Sequence, residues 1–197
     1  MSLRHALLAL LDASPMTGYE LAQMFDQSAS RVWHATHPQV YTELRKLERE
    51  NLVVAREEPR GPQGKATKRA YSLTQDGDKE LRRWVAEIEE PPPVRDVSYL
   101  RATYFEYADP DTVRRNFEMY RAYYAEQLQR WERHVEQLRS RSTQLLRQRL
   151  AHSPESRHAA IVAYKVHVYE GMAERSRAEI AWAERGLALV GELEPAS

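Results

Sequence analysis

Four hydrogen-bonding side chains recur at helical spacing in the segment HPQVYTELRKLERENLVV, residues 37–54. They are Thr42, Arg45, Lys46 and Arg49. On a helical wheel these four lie within roughly 50° of the direction opposite to Val40, Leu44 and Leu47. Arg is the commonest side chain for bidentate contact with guanine, and Lys suits phosphate as a point charge. The pattern predicts a helix that packs through its aliphatic side and contacts DNA through its cationic side, with simple solvation of the cations as the alternative.

A second set of cations lies in the segment that follows. Residues 52–57 and 69–73 are rich in β-forming or alternating residues and flank PRGPQGKATK, which predicts a two-stranded hairpin with a long tip. The cations of this hairpin are Arg60, Lys65, Lys68 and Arg69. Residues 31–69 hold nine Lys or Arg residues and five acids, whereas the whole chain has 29 of each. The neutral total therefore conceals a basic region, and helix and hairpin together predict DNA binding.

The elements that must position these cations follow the order helix, helix, helix, hairpin, helix. Thr17 and Glu20 have the spacing of a capping box and predict the start of the second helix. Pro38 fits the first turn of the third helix, and Asn51 suits a left-handed residue at its end. Thr74 is expected to cap the fourth helix. The buried stripe of that helix is expected at Leu81, Trp84, Val85 and Ile88. This order predicts a winged helix-turn-helix in a mainly α chain.

Three consecutive prolines, residues 91–93, mark a boundary because they cannot continue a helix. We therefore expect a DNA-binding domain over 1–90, a proline-rich linker over 91–97 and a helical dimerisation or effector domain over 98–197. A periodic segment opens at Asp109-Pro110 and is expected to run to about His152. Its seam alternates spacings of four and three over Tyr124, Leu128, Trp131, Val135, Leu138, Ser142 and Leu145. This period is typical of a coiled coil.

This helix and the last helix, which follows Ser153-Pro154, must bury their apolar sides on each other or on a partner chain. For a seam of this length a second copy of the chain is the expected cover. The predicted contacts of this homodimer are Leu128, Trp131, Val135 and Leu138. Two subunits would then present two recognition helices to the DNA.

The composition excludes several classes of function. Cysteine is absent, so disulfides, thiolate metal sites and a cysteine nucleophile are excluded, and a reducing cytoplasm is the expected location. His34 and His37 have metal-ligand spacing without a third ligand nearby, so capping or phosphate contact is the expected role of His37. The segment GPQGKA lacks the spacing of a phosphate loop, and no carboxylate pair lies in an apolar setting. We expect no enzyme, no cofactor, no metal and no membrane span.

Three segments carry a family resemblance: HALLALLDASPMTGYELAQMF, HPQVYTELRKLERENLVV and KRAYSLTQDGDKELRRW. Over about residues 3–90 the chain resembles the PadR family of bacterial transcriptional regulators, although Asn51 stands where that family usually has Gly. The resemblance implies a homodimeric repressor that binds an inverted repeat in double-stranded DNA and is often released by a small, frequently aromatic, effector. By position it assigns recognition to Gln39, Tyr41, Thr42 and Arg45. It assigns contact with the DNA backbone to Thr17, Tyr19 and the wing. An alternative role for Tyr41 is to brace the helix through its hydroxyl.

Aromatic residues are concentrated in the second half of the chain, where eight of the eleven tyrosines follow residue 98. Interface packing is one interpretation, and an effector pocket is the other. The residues predicted for that pocket are Tyr120, Tyr124, Trp131 and Trp182. Two other functions remain as alternatives, a non-specific architectural DNA binder and a helical protein that binds small molecules.

Overall fold

The computed structural model describes residues 2–27, 35–59, 67–90, 93 and 95–193. By its contacts the chain divides into two compact units. The first comprises Met1–Glu90 together with Gln144–Glu155, and the second comprises Pro91–Thr143 together with Ser156–Ser197. The segment 144–155 thus joins the N-terminal unit, although it lies far beyond the prolines in sequence.

The first unit has the order of elements that the sequence predicts. Its helices are α1 (Ser2–Ala13), α2 (Gly18–Gln27), α3 (His37–Arg49), α4 (Gln75–Ala86) and α7 (Gln144–Ala151). Its strands are β1 (Met16–Thr17), β2 (Val53–Pro59) and β3 (Thr67–Leu73), arranged antiparallel in the order β1-β3-β2. Val53 pairs with Leu73, and Pro59 pairs with Thr67. The winged helix-turn-helix is confirmed, and β1 adds a short third strand to the predicted hairpin.

One apolar core holds these elements together. Its fully buried side chains include Leu7 and Leu8 of α1, Phe25 of α2 and Leu44 of α3. Leu81 of α4 joins this core, whereas Val85 is 69% exposed. The predicted stripe of α4 is therefore wrong at Val85 and Ile88, because the helix ends at Ala86 and its last turn faces solvent.

Backbone caps set the ends of the elements around α3. Asn51 has φ 58, which confirms the left-handed residue predicted after the helix. The hydroxyl of Thr74 accepts from the Gly77 amide at 3.0 Å, which confirms the cap of α4. Because Leu52 N–H also donates to Leu47 O, the chain turns directly from α3 into β2.

The second unit is a pair of long helices with a short helix beside them. These are α5 (Val97–Ala102), α6 (Pro110–Arg139) and α8 (His158–Leu193). The long helices run antiparallel, since Arg139 lies beside Glu170 and Phe117 lies against Gly186. No helix among the described residues is long and apolar enough to cross a bilayer.

The predicted periodic segment to His152 is wrong, because α6 ends at Arg139. The Ser140 hydroxyl donates to Glu136 O at 2.8 Å, and the Ser142 hydroxyl donates to Gln137 O at 3.2 Å. These bonds satisfy carbonyls that a continuing helix would use, and Arg141 adopts a left-handed φ of 54. Leu145, predicted on the seam, instead packs against the core of the first unit through α7.

The seam is covered within the chain. Trp131, Val135 and Leu138 are buried, and the Trp131 ring lies 5.9 Å from that of Tyr169 in α8. Leu128 is only partly buried. The expectation that a partner chain covers this seam is therefore wrong for its buried members, because α8 runs back along α6 and the two long helices cover each other.

Candidate nucleic-acid interface and aromatic cluster

The position of α3 follows from its aliphatic side. Val40, Leu44 and Leu47 are at most 1% exposed, which fixes the opposite side of the helix toward solvent. The helix begins after Thr36, whose N–H donates to Gln39 Oε1 at 2.8 Å, and Pro38 lies in the first turn. Gln39 therefore caps the helix through its side-chain amide oxygen. The residue is also exposed at the helix surface.

The four residues predicted to face DNA are all exposed, as the helical wheel predicts. Arg45 Nε donates to Tyr41 O at 3.3 Å, and Arg49 Nε donates to Arg45 O at 3.4 Å. Lys46 lies 3.5 Å from Glu43. The two arginines thus lie along their own helix on backbone carbonyls and can extend from it at little cost, because such exposed bonds contribute little.

Tyr41 has a contact that bears on its two predicted roles. Its ring lies against the start of α2, where a Cβ on Gly18 would come within 2.8 Å of Tyr41 Cε1. Glycine at position 18 therefore permits close approach of α2 and α3. This ring contact supports a bracing role for Tyr41.

The start of α2 is held by the predicted capping box. Glu20 Oε2 accepts from the Thr17 N–H at 2.7 Å and from its hydroxyl at 2.8 Å. These bonds lower the pKa of Glu20, with a smaller contribution from Lys68. Tyr19 is 61% exposed, and its hydroxyl accepts from Gln23 Nε2 at 2.8 Å. Tyr19 is therefore exposed for contact with a partner, while Thr17 serves the cap.

His37 joins the two helices of the motif. Its Nε2 lies 2.6 Å from Asp26 Oδ2 of α2, so the imidazole has a carboxylate partner. Among the residues that the structure describes, no cluster of three or more His, Asp or Glu side chains is suited to a metal ion.

The hairpin cations have acidic partners that the sequence reading missed. Lys68 lies 4.0 Å from Glu20 and 3.7 Å from Glu58, and Arg69 pairs with Glu48 at 2.5 Å. Counting charges could not reveal these pairs, because they join separate elements. Arg60 and Lys65, the other predicted wing cations, lie outside the described residues.

A buried polar contact that the sequence reading also missed joins α1 to α4. His5 is 4% exposed, stacks on Trp84 at 4.5 Å and lies 3.1 Å from Glu80 Oε1. Hydrogen bonds from Arg83 and then His5 lower the pKa of Glu80 to about 2. The helix α4 is thus fixed to α1 by ring stacking and a hydrogen bond.

In the second unit, aromatic side chains gather around a buried carboxylate. Glu179 is 7% exposed and accepts from the hydroxyls of Tyr99 at 2.8 Å and Tyr120 at 2.9 Å. The Tyr99 ring stacks on Trp182 at 4.4 Å, and the Tyr120 ring meets Trp182 edge-on at 5.1 Å. Burial and then the bond to Glu179 raise the pKa of Tyr99 to about 12. Burial also raises the pKa of Tyr120, so both phenols stay protonated donors.

This cluster contains three of the four residues predicted for an effector pocket. Tyr124 joins it through Tyr120, at a ring distance of 4.8 Å. Trp131 lies elsewhere, against Tyr169, because the antiparallel pairing of α6 and α8 sets residue 131 far along the helix from residue 182. The sequence reading missed Tyr99 and Glu179, although Glu179 and Trp182 have the i,i+3 spacing of one helix face.

A cavity of about 50 Å³ opens beside the cluster. Its lining residues are Ser98, Arg101, Phe105, Asn116, Phe117, Tyr120 and Trp182. The lining is mostly aromatic with a few polar groups, which is the usual make-up of a small-molecule site.

Comparison with known proteins places these features in context. Residues 7–83 match the model of the Transcriptional regulator PadR-like family. The chain is 41% identical over 87 residues to the Probable transcriptional regulator Rv1176c of Mycobacterium tuberculosis, covering 44% of this chain and 45% of that protein. It is 34% identical over 101 residues to the Negative transcriptional regulator PadR of Bacillus subtilis, covering 51% of this chain and 54% of that protein. The match therefore spans about half the length of these relatives.

Two solved structures resemble nearly the whole chain. The crystal structure of Bacillus subtilis PadR in complex with operator DNA has a TM-score of 0.75 and 26% identity, covering 96% of this chain and 98% of that one. The crystal structure of the same protein in complex with p-coumaric acid has a TM-score of 0.61 and 24% identity, covering 97% and 99%. The second likeness, at that identity, is one of fold.

Proposed function

The chain belongs to the PadR-like family of transcriptional regulators, which are not enzymes, and we propose that it acts in the cytoplasm as a homodimeric repressor that a small aromatic effector releases from its DNA operator. The observation that carries this proposal is the geometry of α3. Its aliphatic side is fully buried, and the exposed side presents Thr42, Arg45, Lys46 and Arg49.

In this proposal α3 enters the major groove. Arg45 and Thr42 contact base edges, with Gln39 beside them at the start of the helix, while Lys46 and Arg49 contact phosphates. Lys68 and Arg69 of the hairpin follow a neighbouring phosphate backbone, together with Arg60 and Lys65. Tyr19, exposed at the start of α2, contacts the sugar-phosphate backbone. This arrangement is supported by the operator complex of the Bacillus subtilis protein, whose fold resembles 96% of the present chain.

The homodimer is proposed to form through the second unit. Because α8 already covers the buried part of the α6 seam, a partner chain needs other apolar surface. Tyr164 is 75% exposed and Val168 is 47% exposed, one turn apart on α8, and Leu128 of α6 is only partly buried. Two subunits joined in this way would set their recognition helices about one DNA turn apart, roughly 34 Å or a small multiple of it. An inverted repeat is the operator that such a dimer reads.

Repression and its release rest on two further observations. A relative that is 34% identical is named a negative transcriptional regulator, and a protein of the same fold has been crystallised with p-coumaric acid. The aromatic cluster around Glu179 supplies ring faces and a buried carboxylate that a planar aromatic effector can contact, and it is the proposed effector site of this chain. Binding there lowers operator affinity about a hundredfold if the effector favours the released state by roughly 2.7 kcal/mol.

The test is footprinting on the DNA upstream of the protein's own coding region, followed by competition against bulk DNA. A sequence-specific repressor should protect one inverted repeat and prefer it by about three orders of magnitude or more at physiological salt. Arg45→Ala should lower operator affinity by about 1–3 kcal/mol and relax the preference at one base position. Arg82→Ala, which removes the same charge from an ion pair with Asp78 on α4, is the matched control and should retain it.

The same experiment separates the alternative functions. Equal affinity for all duplexes, with a steep dependence on salt, would identify a non-specific architectural binder and contradict the operator. Failure to bind any duplex, with binding of aromatic compounds retained, would favour a helical small-molecule-binding protein.

A further inference from the structure

The short helix α5 is attached to α8 through the side chain of Tyr99. None of its six described residues is buried, and a helix of that length is not stable alone. Val97 and Leu100 are 68% and 61% exposed, so they contribute little packing. Tyr99 supplies both a ring stacked on Trp182 and a hydroxyl bonded to Glu179.

Trp182 and Glu179 form a seat for the Tyr99 side chain, and this seat has the chemistry of a phenol-binding site. Trp182 provides a flat aromatic face, at a centroid distance of 4.4 Å and an angle of 28°. The carboxylate of Glu179, held in place by the hydroxyl of Tyr120 at 2.9 Å, provides a buried acceptor for the phenol. Arg175 Nε lies 3.6 Å from the other carboxylate oxygen, so the negative charge is partly balanced. A ring with a hydroxyl at its end satisfies both groups of the seat.

The cavity beside the seat is too small for a second ring. Its volume is about 50 Å³. A cavity that admits benzene is on the order of 150 Å³. An aromatic molecule can therefore reach Trp182 and Glu179 only where a side chain leaves. Tyr99, which is 40% exposed and carried by a short helix, is the occupant with the least to hold it.

We propose that Tyr99 is a built-in occupant of a phenol-binding site, and that para-substituted phenols bind by displacing it and thereby release α5. The site is the effector site of the proposed function, so the inference rests on that proposal for its regulatory meaning. The ligand's ring stacks on Trp182, and its hydroxyl donates to Glu179 in place of Tyr99. Because Tyr99 competes from within the chain, a phenol can bind only when the seat is empty. The apparent affinity for the phenol is therefore the intrinsic affinity multiplied by the fraction of time for which the seat is empty.

Calorimetry with p-cresol tests the competition. Tyr99→Ala empties the seat, so p-cresol should bind this variant at least about tenfold more tightly than the wild type. Tyr104→Ala is the matched control, because Tyr104 is a 58% exposed tyrosine in the same segment. It should bind p-cresol like the wild type. Toluene, which lacks the hydroxyl, should bind Tyr99→Ala about tenfold more weakly than p-cresol, since Glu179 then lacks its second donor.

Hydrogen exchange in the wild type tests the release of α5 and needs no variant. The amides of Leu100 and Thr103 donate to Asp96 O and Tyr99 O, so their exchange reports whether α5 is formed. Saturating p-cresol should speed exchange at both. Exchange that stays the same or slows with p-cresol bound would overturn the proposal. So would equal p-cresol affinity in the wild type and a folded Tyr99→Ala.

The effect of p-cresol on operator affinity is measured separately. If α5 is released while operator affinity stays constant, the phenol site stands and the effector role in the proposed function is wrong. If operator affinity changes while exchange of α5 does not, the effector role stands and displacement of Tyr99 is wrong.

Discussion

The carboxylate of Glu48 in α3 accepts a hydrogen bond from the guanidinium of Arg69 in β3, so the proposed recognition helix and the hairpin are joined by an ion pair. The same guanidinium lies over the Tyr71 ring, 5.6 Å from its centroid. Both partners remain accessible, with the Arg69 side chain 58% exposed and that of Glu48 27% exposed. A DNA phosphate that approaches the hairpin therefore competes with Glu48 for Arg69.

Glu48→Gln should strengthen DNA binding. The change keeps the shape of the side chain and removes its charge, so Arg69 can pair with phosphate without losing a partner. The slope of log K against log salt should steepen by up to about 0.9, measured by anisotropy titration at several salt concentrations. Glu89→Gln, at an exposed position beyond α4, controls for the change in net charge. A gain of the same size in an Arg69→Ala background would contradict the competition.

Arg45→Ala and Arg49→Ala should differ in kind. Loss of Arg45 should cost about 1–3 kcal/mol of operator binding and relax preference at one base position. Loss of Arg49 should weaken all duplexes alike, because a phosphate contact carries no sequence information. Titration against a set of single-base operator variants distinguishes the two. Equal and sequence-independent losses would show that Arg45 does not read bases.

Gly77→Ala should destabilise the first unit. A Cβ at this position would lie 2.1 Å from Leu52 O and 2.7 Å from Leu73 Cδ1, so the backbone has to shift. We expect a loss of about 1–3 kcal/mol in the free energy of unfolding, measured by urea denaturation. Gly171→Ala in α8 is the matched control, because its Cβ would meet nothing within 4 Å. That substitution should stabilise the protein by about 0.5–1 kcal/mol. Similar effects at both positions would contradict the close packing at Gly77.

The His5–Glu80 contact should make stability fall in acid. Because Arg83 and His5 lower the pKa of Glu80 from 4.5 to about 2, its stabilisation is present above about pH 4.5. It is lost as the pH falls toward 2, since the folded state then has to bind a proton that it disfavours. Glu80→Gln should flatten the dependence of the unfolding free energy on pH in that window, measured by urea denaturation. An unchanged slope would assign the acid sensitivity to other carboxylates.

Tyr164→Glu should weaken the proposed homodimer. It places a charge on the exposed apolar face of α8, where burial against a partner chain would leave it without a counterion. Sedimentation equilibrium should then show monomers at concentrations where the wild type is dimeric. Ala159→Glu, at an exposed position on the opposite side of the same helix, should leave the dimer intact. A dimer that survives Tyr164→Glu would show that this face lies outside the interface.

The faces of α3 could be predicted because they depend only on local periodicity. Val40, Leu44 and Leu47 recur at the period of a helix, so the buried side determines which side is exposed. The pairing of Glu48 with Arg69 could not be predicted in this way. It depends on how β3 lies beside α3, and the two residues are 21 positions apart.

The second unit shows the limits of periodicity more clearly. The seam pattern continues past Ser140, yet the serine hydroxyls and the left-handed Arg141 end the helix there. Trp131 and Trp182 are both predicted for the effector pocket because aromatic residues are concentrated in this half of the chain. The antiparallel register of α6 and α8 instead places Trp131 against Tyr169. The sequence places Glu179 on the same helix face as Trp182, but this spacing alone does not distinguish it from the other carboxylates among the 29 acids. Its importance comes from two tyrosine hydroxyls that reach it from α5 and α6.

The return of α7 to the first unit has a consequence for how the protein is made. Leu145 packs on the core that α1 began, and Arg149 pairs with Asp12 at 3.2 Å. When residue 90 has left the ribosome, the helix-turn-helix therefore still lacks α7. Because α7 follows α6 in the sequence, it is synthesised only after all of α6. Until then the nascent chain exposes the apolar surface that α7 later covers. We expect the order of synthesis to delay completion of the N-terminal unit, although its other elements are the first to leave the ribosome.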